Sequence, residues 1–269
     1  MTDRYESPLS TCYASEYMLN LFSFDTRYQT WRKLWTMLAK EERALGVPIT
    51  EEQVEEVSRH ITDINYDLVR KREKEVRHDV MAHVYAYGVA APSAAGIIHL
   101  GATSCYVTDN ADLIIYRDAL THLRAELLSV LANLARFADE YKATPTLGYT
   151  HYQPAQLVTV GERATLWMQD ILSDLKELDF ALENIKFLEC RGTTGTEASF
   201  LDLFDGDTGK IDQMNRALAA DFDFEACFDV CGQIHPRKLV SRILNAFLPS
   251  HRVVIAWQTI FDCCNMTDR

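Results

Sequence analysis

Residues 116–137 read YRDALTHLRAELLSVLANLARF, and residues 164–185 read ATLWMQDILSDLKELDFALENI. In the first stretch Tyr116, Leu120, Leu123, Leu127, Val130, Leu134 and Phe137 recur at alternating steps of four and three. Ala164, Met168, Ile171, Leu175, Leu178, Leu182 and Ile185 do the same in the second. That spacing lays one apolar seam along each of two long helices. The first is expected to open at Asp109-Asn110. The second is expected over about 157–187, roughly 45 Å at 1.5 Å per residue. Helices of this length belong to elongated bundles, and a two-sided bundle element commonly meets partner subunits, so an oligomer is expected.

Working outward, the rest also reads as helix. Only 11 Gly and 7 Pro punctuate the 269 residues, and alternating strand patterns are rare. Trp31, Leu34, Trp35, Leu38 and Leu45 share a helical face that ends at Gly46 and Pro48. Thr50 with Gln53 three residues on predicts a capping box, and Glu51 and Glu52 suit the positive end of the helix dipole. The expected class is all-α. A boundary falls near 103/104, where an N-terminal helical domain (1–103) gives way to a long-helix bundle domain (104–269).

Composition narrows the function. A net charge of −12 argues against gripping nucleic acid or an anionic membrane, so an anionic ligand would need a local basic pocket. No apolar run approaches a bilayer span, and the first residues lack the basic and apolar regions of a signal peptide. Seven cysteines, an odd and scattered set, fit a reducing, cytoplasmic setting. Cys227-x3-Cys231 and Cys263-Cys264 lack partners at finger-like spacing, so no metal site is expected.

Polar, glycine-containing connections join the helices. Arg77-His78-Asp79 reads either as a solvated charged face or as a cation and imidazole aimed at an anion, with a carboxylate to orient them. Gly101-Ala102-Thr103-Ser104 reads as a helix start capped by a hydroxyl, a place that also suits a carboxylate or phosphate. Thr150-His151-Tyr152-Gln153-Pro154 puts an imidazole before a Pro-initiated turn into the second long helix, where it is structural or a general acid. Gly192-Thr193-Thr194-Gly195-Thr196 is expected directly after that helix, as a C-capping turn or a main-chain anion cradle; no Gly-Lys-Ser/Thr follows to make it a P-loop.

Taken together, Gly101 to Asn110, Thr150 to Gln156, Gly192 to Thr196 and Gly232-Gln233 resemble the adenylosuccinate lyases of the fumarase/aspartase superfamily. The resemblance runs from Tyr5-Glu6-Ser7-Pro8-Leu9 to about Lys238 and includes Arg77 to His83 and Ala95 to Gly101. It implies a homotetramer built around a bundle of long helices, with active sites shared among subunits. It implies a C–N lyase that eliminates fumarate from adenylosuccinate, giving AMP, and from the succinylated imidazole-carboxamide ribotide. No metal or organic cofactor is implied. By the same resemblance His151 is the acid that protonates the leaving nitrogen and Thr150 touches the succinyl part. Thr103 and Ser104 hold a substrate carboxylate, with Arg77, His78 and Asp79 lining that pocket. Tyr13 and Gln233 meet the purine nucleotide.

Three departures stand beside the match. Cys12 occupies the place of an arginine expected to grip the substrate phosphate. Ile234-His235-Pro236 replaces the family's Thr-Tyr-Ser. The mobile Ser-Ser-x-Met-Pro loop, which carries the proton-removing serine, does not occur in the 269 residues. The expectation is therefore a truncated central bundle without the C-terminal domain, inactive by itself. The alternative is a non-catalytic helical fragment that co-assembles with full-length subunits.

Overall fold

The computed structural model describes residues 7–247. Cys263 and Cys264, and most of the divergent segment after Lys238, lie outside the described residues. A single wide turn, Leu9–Tyr13, precedes α1 (Glu16–Leu21), α2 (Phe24–Ala44), α3 (Glu51–Arg59), α4 (Tyr66–Val76) and α5 (Asp79–Ala90). The long α6 (Ser104–Glu140) leads to strands β1 (Pro145–Thr150) and β2 (Gln153–Thr159). Then come α7 (Val160–Glu183), α8 (Ala198–Leu203) and α9 (Thr208–Asp221), and residues 238–247 are again helical. The all-α reading stands, with one hairpin added.

Two compact units divide the chain. Among the described residues, unit 1 comprises 7–116 and 186–236, and unit 2 comprises 117–185 and 237–247. The division falls inside α6, whereas the sequence places the domain boundary at the start of that helix, near 103/104.

In unit 1 the aromatic face of α2 forms the core. Trp31, Leu34, Trp35 and Leu38 are buried, and Trp35 and Tyr87 lie with ring centroids 6.1 Å apart. Gly46, at φ +98°, ends this helix region as expected. The capping box of α3 is present: Gln53 N–H donates to Thr50 Oγ1 at 3.2 Å, and Thr50 N–H donates to Gln53 Oε1 at 3.0 Å. Arg32 is fully buried beneath Tyr87, 4.3 Å from the ring centroid, and donates to the carbonyls of His60 and Asp63. Glu42 is equally buried, and neither carboxyl oxygen has a hydrogen-bond partner. Burial pushes its pKa up to about 9, so it sits in the fold as the neutral acid.

Unit 2 is thinner. Leu131 of α6 packs on Ile171 and Leu175 of α7, with Leu127, Leu134 and Met168 partly buried around them. The two seams read from sequence therefore meet each other. Arg124 adds a charged tie to Asp179 at 2.6 Å.

Four local expectations need correction. First, α6 opens at Ser104, five residues before Asp109. Second, α7 starts at Val160, capped by Thr159, because residues 153–159 are a strand. Third, Thr150 to Pro154 is not a turn into a helix but the end of an antiparallel hairpin in which Thr150 pairs with Gln153. β-favouring Tyr149, Thr150, Val158 and Thr159 outweigh the helical seam here. Fourth, α7 ends at Glu183 with Asn184 as its cap, so Gly192 to Thr196 is a free-standing turn and not its C-cap.

Candidate active site

Most of the predicted site residues fall in unit 1, where α6 organises them. Asn110, fully buried, acts as a surrogate strand: its amide donates to the Leu188 carbonyl at 2.8 Å and accepts from the Leu188 N–H at 2.8 Å. One residue earlier, Asp109 accepts the His235 N–H at 3.2 Å and lies 2.8 Å from its Nδ1. Asn215 of α9 accepts the Cys190 N–H at 3.0 Å and donates to Glu197 at 3.0 Å. Two irregular segments, around 187–197 and 231–236, are thus fixed by side-chain amides and a carboxylate where no regular structure could hold them.

These anchors gather three turns. Thr103 Oγ1 donates to the Arg191 carbonyl at 3.0 Å, tying the start of α6 to the Gly192–Thr196 turn. That turn closes through Gly195 N–H to Gly192 O at 2.9 Å. Gly195, at φ +78°, has no room for a side chain: a Cβ there would lie 3.0 Å from the Gly232 Cα. Gly101, at φ +65°, is similarly constrained, with Phe200 2.9 Å from the place a Cβ would take.

His78 completes the group. It caps α5, its Nδ1 accepting the Met81 N–H at 3.4 Å, while its Nε2 lies 3.2 Å from Ser104 Oγ. With Nδ1 used as acceptor, neutral His78 carries its proton on Nε2, directed at the serine hydroxyl. Asp79 Oδ1 stands 3.6 Å from Nδ1. Arg77, exposed and at φ +53°, forms the corner between α4 and α5. Beside His78 is a cleft of about 680 Å³, lined by Arg72, Val76, Met81, Tyr85, Val89 and Ala95, a size suited to a small molecule.

His99 belongs with this group, although in the sequence reading it figures only within Ala95 to Gly101 and is given no role. Its Nδ1 accepts the Trp35 indole N–H at 2.9 Å, which leaves the proton on Nε2. Burial, with the neighbouring His78 adding to it, lowers its pKa to about 4, so it is a neutral hydrogen-bond donor. Its φ of +69° is the signal, and that is a backbone property. Of the six non-glycine residues with positive φ among the described residues, Arg77, His99, His151 and Tyr152 lie in the segments singled out for chemistry.

Four predicted residues make none of these side-chain contacts. Gln233 is half-buried on the segment held by Asp109. Tyr13 is 80% exposed on the first turn, next to exposed Cys12, and makes no hydrogen bond to the others among the described residues. Thr150 and His151 lie in unit 2, exposed at the hairpin end. His151 and Tyr152, at φ +51° and +58°, are the two central residues of a mirror-image turn, and Tyr152 is 94% exposed. No group of three or more potential metal ligands occurs among the described residues. No described helix is long and apolar enough to cross a membrane.

Comparison with known proteins adds a family. A family model described as "Lyase" matches residues 16–201. The chain is 50% identical over 238 residues to a protein of Schizosaccharomyces pombe named adenylosuccinate lyase, covering 87% of this chain and 49% of that protein. It is 48% identical over 240 residues to one of the same name from Saccharomyces cerevisiae, covering 88% of this chain and 50% of that protein. The chain thus spans about half the length of the curated relatives it matches. Among solved structures, a fumarate lyase from Mesorhizobium aligns at a TM-score of 0.78 and 23% identity, over 94% of this chain and 58% of that one, a likeness of fold.

Proposed function

Because the chain belongs to the lyase family whose model spans residues 16–201, we propose that it supplies part of an adenylosuccinate lyase-type C–N lyase. The reaction would be β-elimination of fumarate from adenylosuccinate and from the related succinylated ribotide. The observation that carries this reading is the His78–Ser104 pair, 3.2 Å apart at the start of a 37-residue helix.

Elimination of this kind builds negative charge on the carboxylate next to the carbon that loses its proton. Fixed donors at that place lower the barrier, usually by the largest single amount. Ser104, the first N–H groups of α6 and the Nε2–H of His78 and His99 are such donors, and α6 adds the positive end of its dipole. Thr103 and the Arg77–Asp79 corner frame the same carboxylate. His151 is the proton donor to the departing nitrogen, with Thr150 beside it on the succinyl part. Gln233 and Tyr13 take the nucleotide part. The proton-removing base is assigned to no residue of this chain. In this reading neither a metal nor an organic cofactor takes part.

The chain works in this proposal as a soluble cytoplasmic homo-oligomer, a tetramer, with His151 serving a site completed by other subunits. Two features support assembly: Leu166, Leu172 and Phe180 are exposed on α7, and strained His151 is presented at an exposed tip. The same features suit the second reading, a non-catalytic fragment that co-assembles with longer subunits. The test is to mix the chain with the full-length S. pombe relative in which the histidine matching His151 is alanine. Fumarate formation is followed by ultraviolet absorbance. Restored turnover is the expected result. Co-elution without turnover would favour the non-catalytic reading, and neither turnover nor co-elution would overturn both.

A further inference from the structure

The Asp109–His235 pair is the most deeply buried ion-pairing contact in unit 1 among the described residues, with side-chain exposures of 4% and 1%. Both the backbone N–H and the ring Nδ1 of His235 converge on Asp109 Oδ1, at 3.2 and 2.8 Å. Thr108 Oγ1 donates to the other oxygen, Oδ2, at 3.1 Å. A buried carboxylate holds its charge only when donors surround it, and here a single residue provides two of them. His235 closes the irregular stretch that leaves the Phe187–Cys227 bridge and carries Gly232 and Gln233. Gly232 is the residue against which Gly195 packs backbone to backbone.

We propose that His235 is a positioning residue: its two-pronged contact with Asp109 clips the 231–235 segment to α6 and so fixes the loop that presents Gln233. The proposal rests on the reading of Gln233 as a nucleotide contact. His235 itself does not touch the substrate. It acts through the loop, by removing the freedom Gln233 would otherwise lose on binding.

The experiment uses the whole chain and two readouts, amide hydrogen exchange of residues 229–236 by mass spectrometry and AMP affinity by calorimetry. In His235→Ala the exchange is expected to accelerate about tenfold or more, and AMP binding to weaken about tenfold, as for loss of a charge-assisted hydrogen bond. His235→Asn keeps a donor close to the position of Nδ1 and is expected to restore both. His235→Gln moves the donor away and is expected to behave like alanine, which keeps the comparison valid if the alanine variant does not fold. Gln233→Ala is expected to weaken AMP without changing exchange. Unchanged exchange in His235→Ala and His235→Gln would overturn the clip. Faster exchange with unchanged AMP affinity, while Gln233→Ala weakens it, would overturn the positioning role alone. If Gln233→Ala leaves AMP binding as it was, the nucleotide reading of Gln233 fails, and the exchange data alone decide the clip.

Discussion

Unit 1 and unit 2 solve the burial problem differently. Unit 1 hides whole aromatic side chains, Trp35, Tyr87 and Tyr106 among them, and satisfies its irregular segments with Asp109, Asn110 and Asn215. Unit 2 packs Leu131 of α6 on Ile171 and Leu175 of α7, buries Leu178 and Ile243 as well, and leaves Leu128, Phe137, Leu166 and Phe180 exposed. Val130 and Phe137 lie on the α6 seam yet are 38% and 40% exposed, so a heptad-like pattern marks a face that can be buried and does not fix how much of it is covered. Unit 1 also carries groups that are expensive to bury, Glu42 and His83, and its wide core tolerates them.

The contrast can be broken or sharpened by experiment. Trp35→Ala is expected to have the largest effect, a loss of about 3–5 kcal/mol in urea unfolding, since it empties the centre of the unit 1 core. A loss below 1 kcal/mol would mean that core is not closely packed. Gly161→Ala is the matching test in unit 2. A Cβ there would lie 2.4 Å from the Ala138 carbonyl oxygen and 2.8 Å from Lys142 backbone, so a loss of about 2–3 kcal/mol is expected by the same measurement.

Titration separates the units further. Glu42 has a folded pKa of about 9 against an ordinary 4.5, so the folded state keeps a proton the unfolded chain releases, and stability falls as pH rises between those values. Glu42→Gln is therefore expected to raise stability at pH 8, with a gain that shrinks toward pH 5, as urea unfolding at the two pH values would show. His83 acts in the opposite range. Burial lowers its pKa to about 4 from 6.5, so its contribution is present above pH 6.5 and lost as pH falls to about 4. His83→Phe should flatten that acid limb, which thermal melts over the interval would reveal.

Smaller effects belong to unit 2. Replacing His151 by Asn and Tyr152 by Gly together should stabilise the hairpin by about 1 kcal/mol, because those residues accept positive φ more readily. Leu166→Gln, on the exposed face of α7, should change stability by less than about 0.5 kcal/mol while reducing self-association in light scattering. Equal self-association would show that this face meets no copy of the chain.

Much of this was legible in the residues. The Thr50–Gln53 box, the aromatic face of α2 and the two seams are local or periodic signals; the fold uses the first two as written and buries the seams in part, leaving Val130 and Phe137 exposed. The hairpin was not legible, because its turn is His-Tyr rather than the Asn-Gly that would announce it, and Gly148 adds an irregular register. The Gly192–Thr196 turn was recognised as a motif but attached to the wrong element, since its partners are Thr103 and Gly232, far away in sequence. Asp109 and His235 are separated by 126 positions, and nothing in either neighbourhood announces the other. His99 carries no role in the sequence reading because its partner Trp35 lies 64 positions away and nothing in either neighbourhood announces the other.

The mirror-image turn at residues 151 and 152 also bears on how this chain would respond to selection. A screen for heat resistance would favour Asn-Gly at its tip, and would discard the imidazole in doing so. Any lineage that retains histidine there is holding a less stable loop against the drift of random mutation, and only a demand on that side chain could keep it in place.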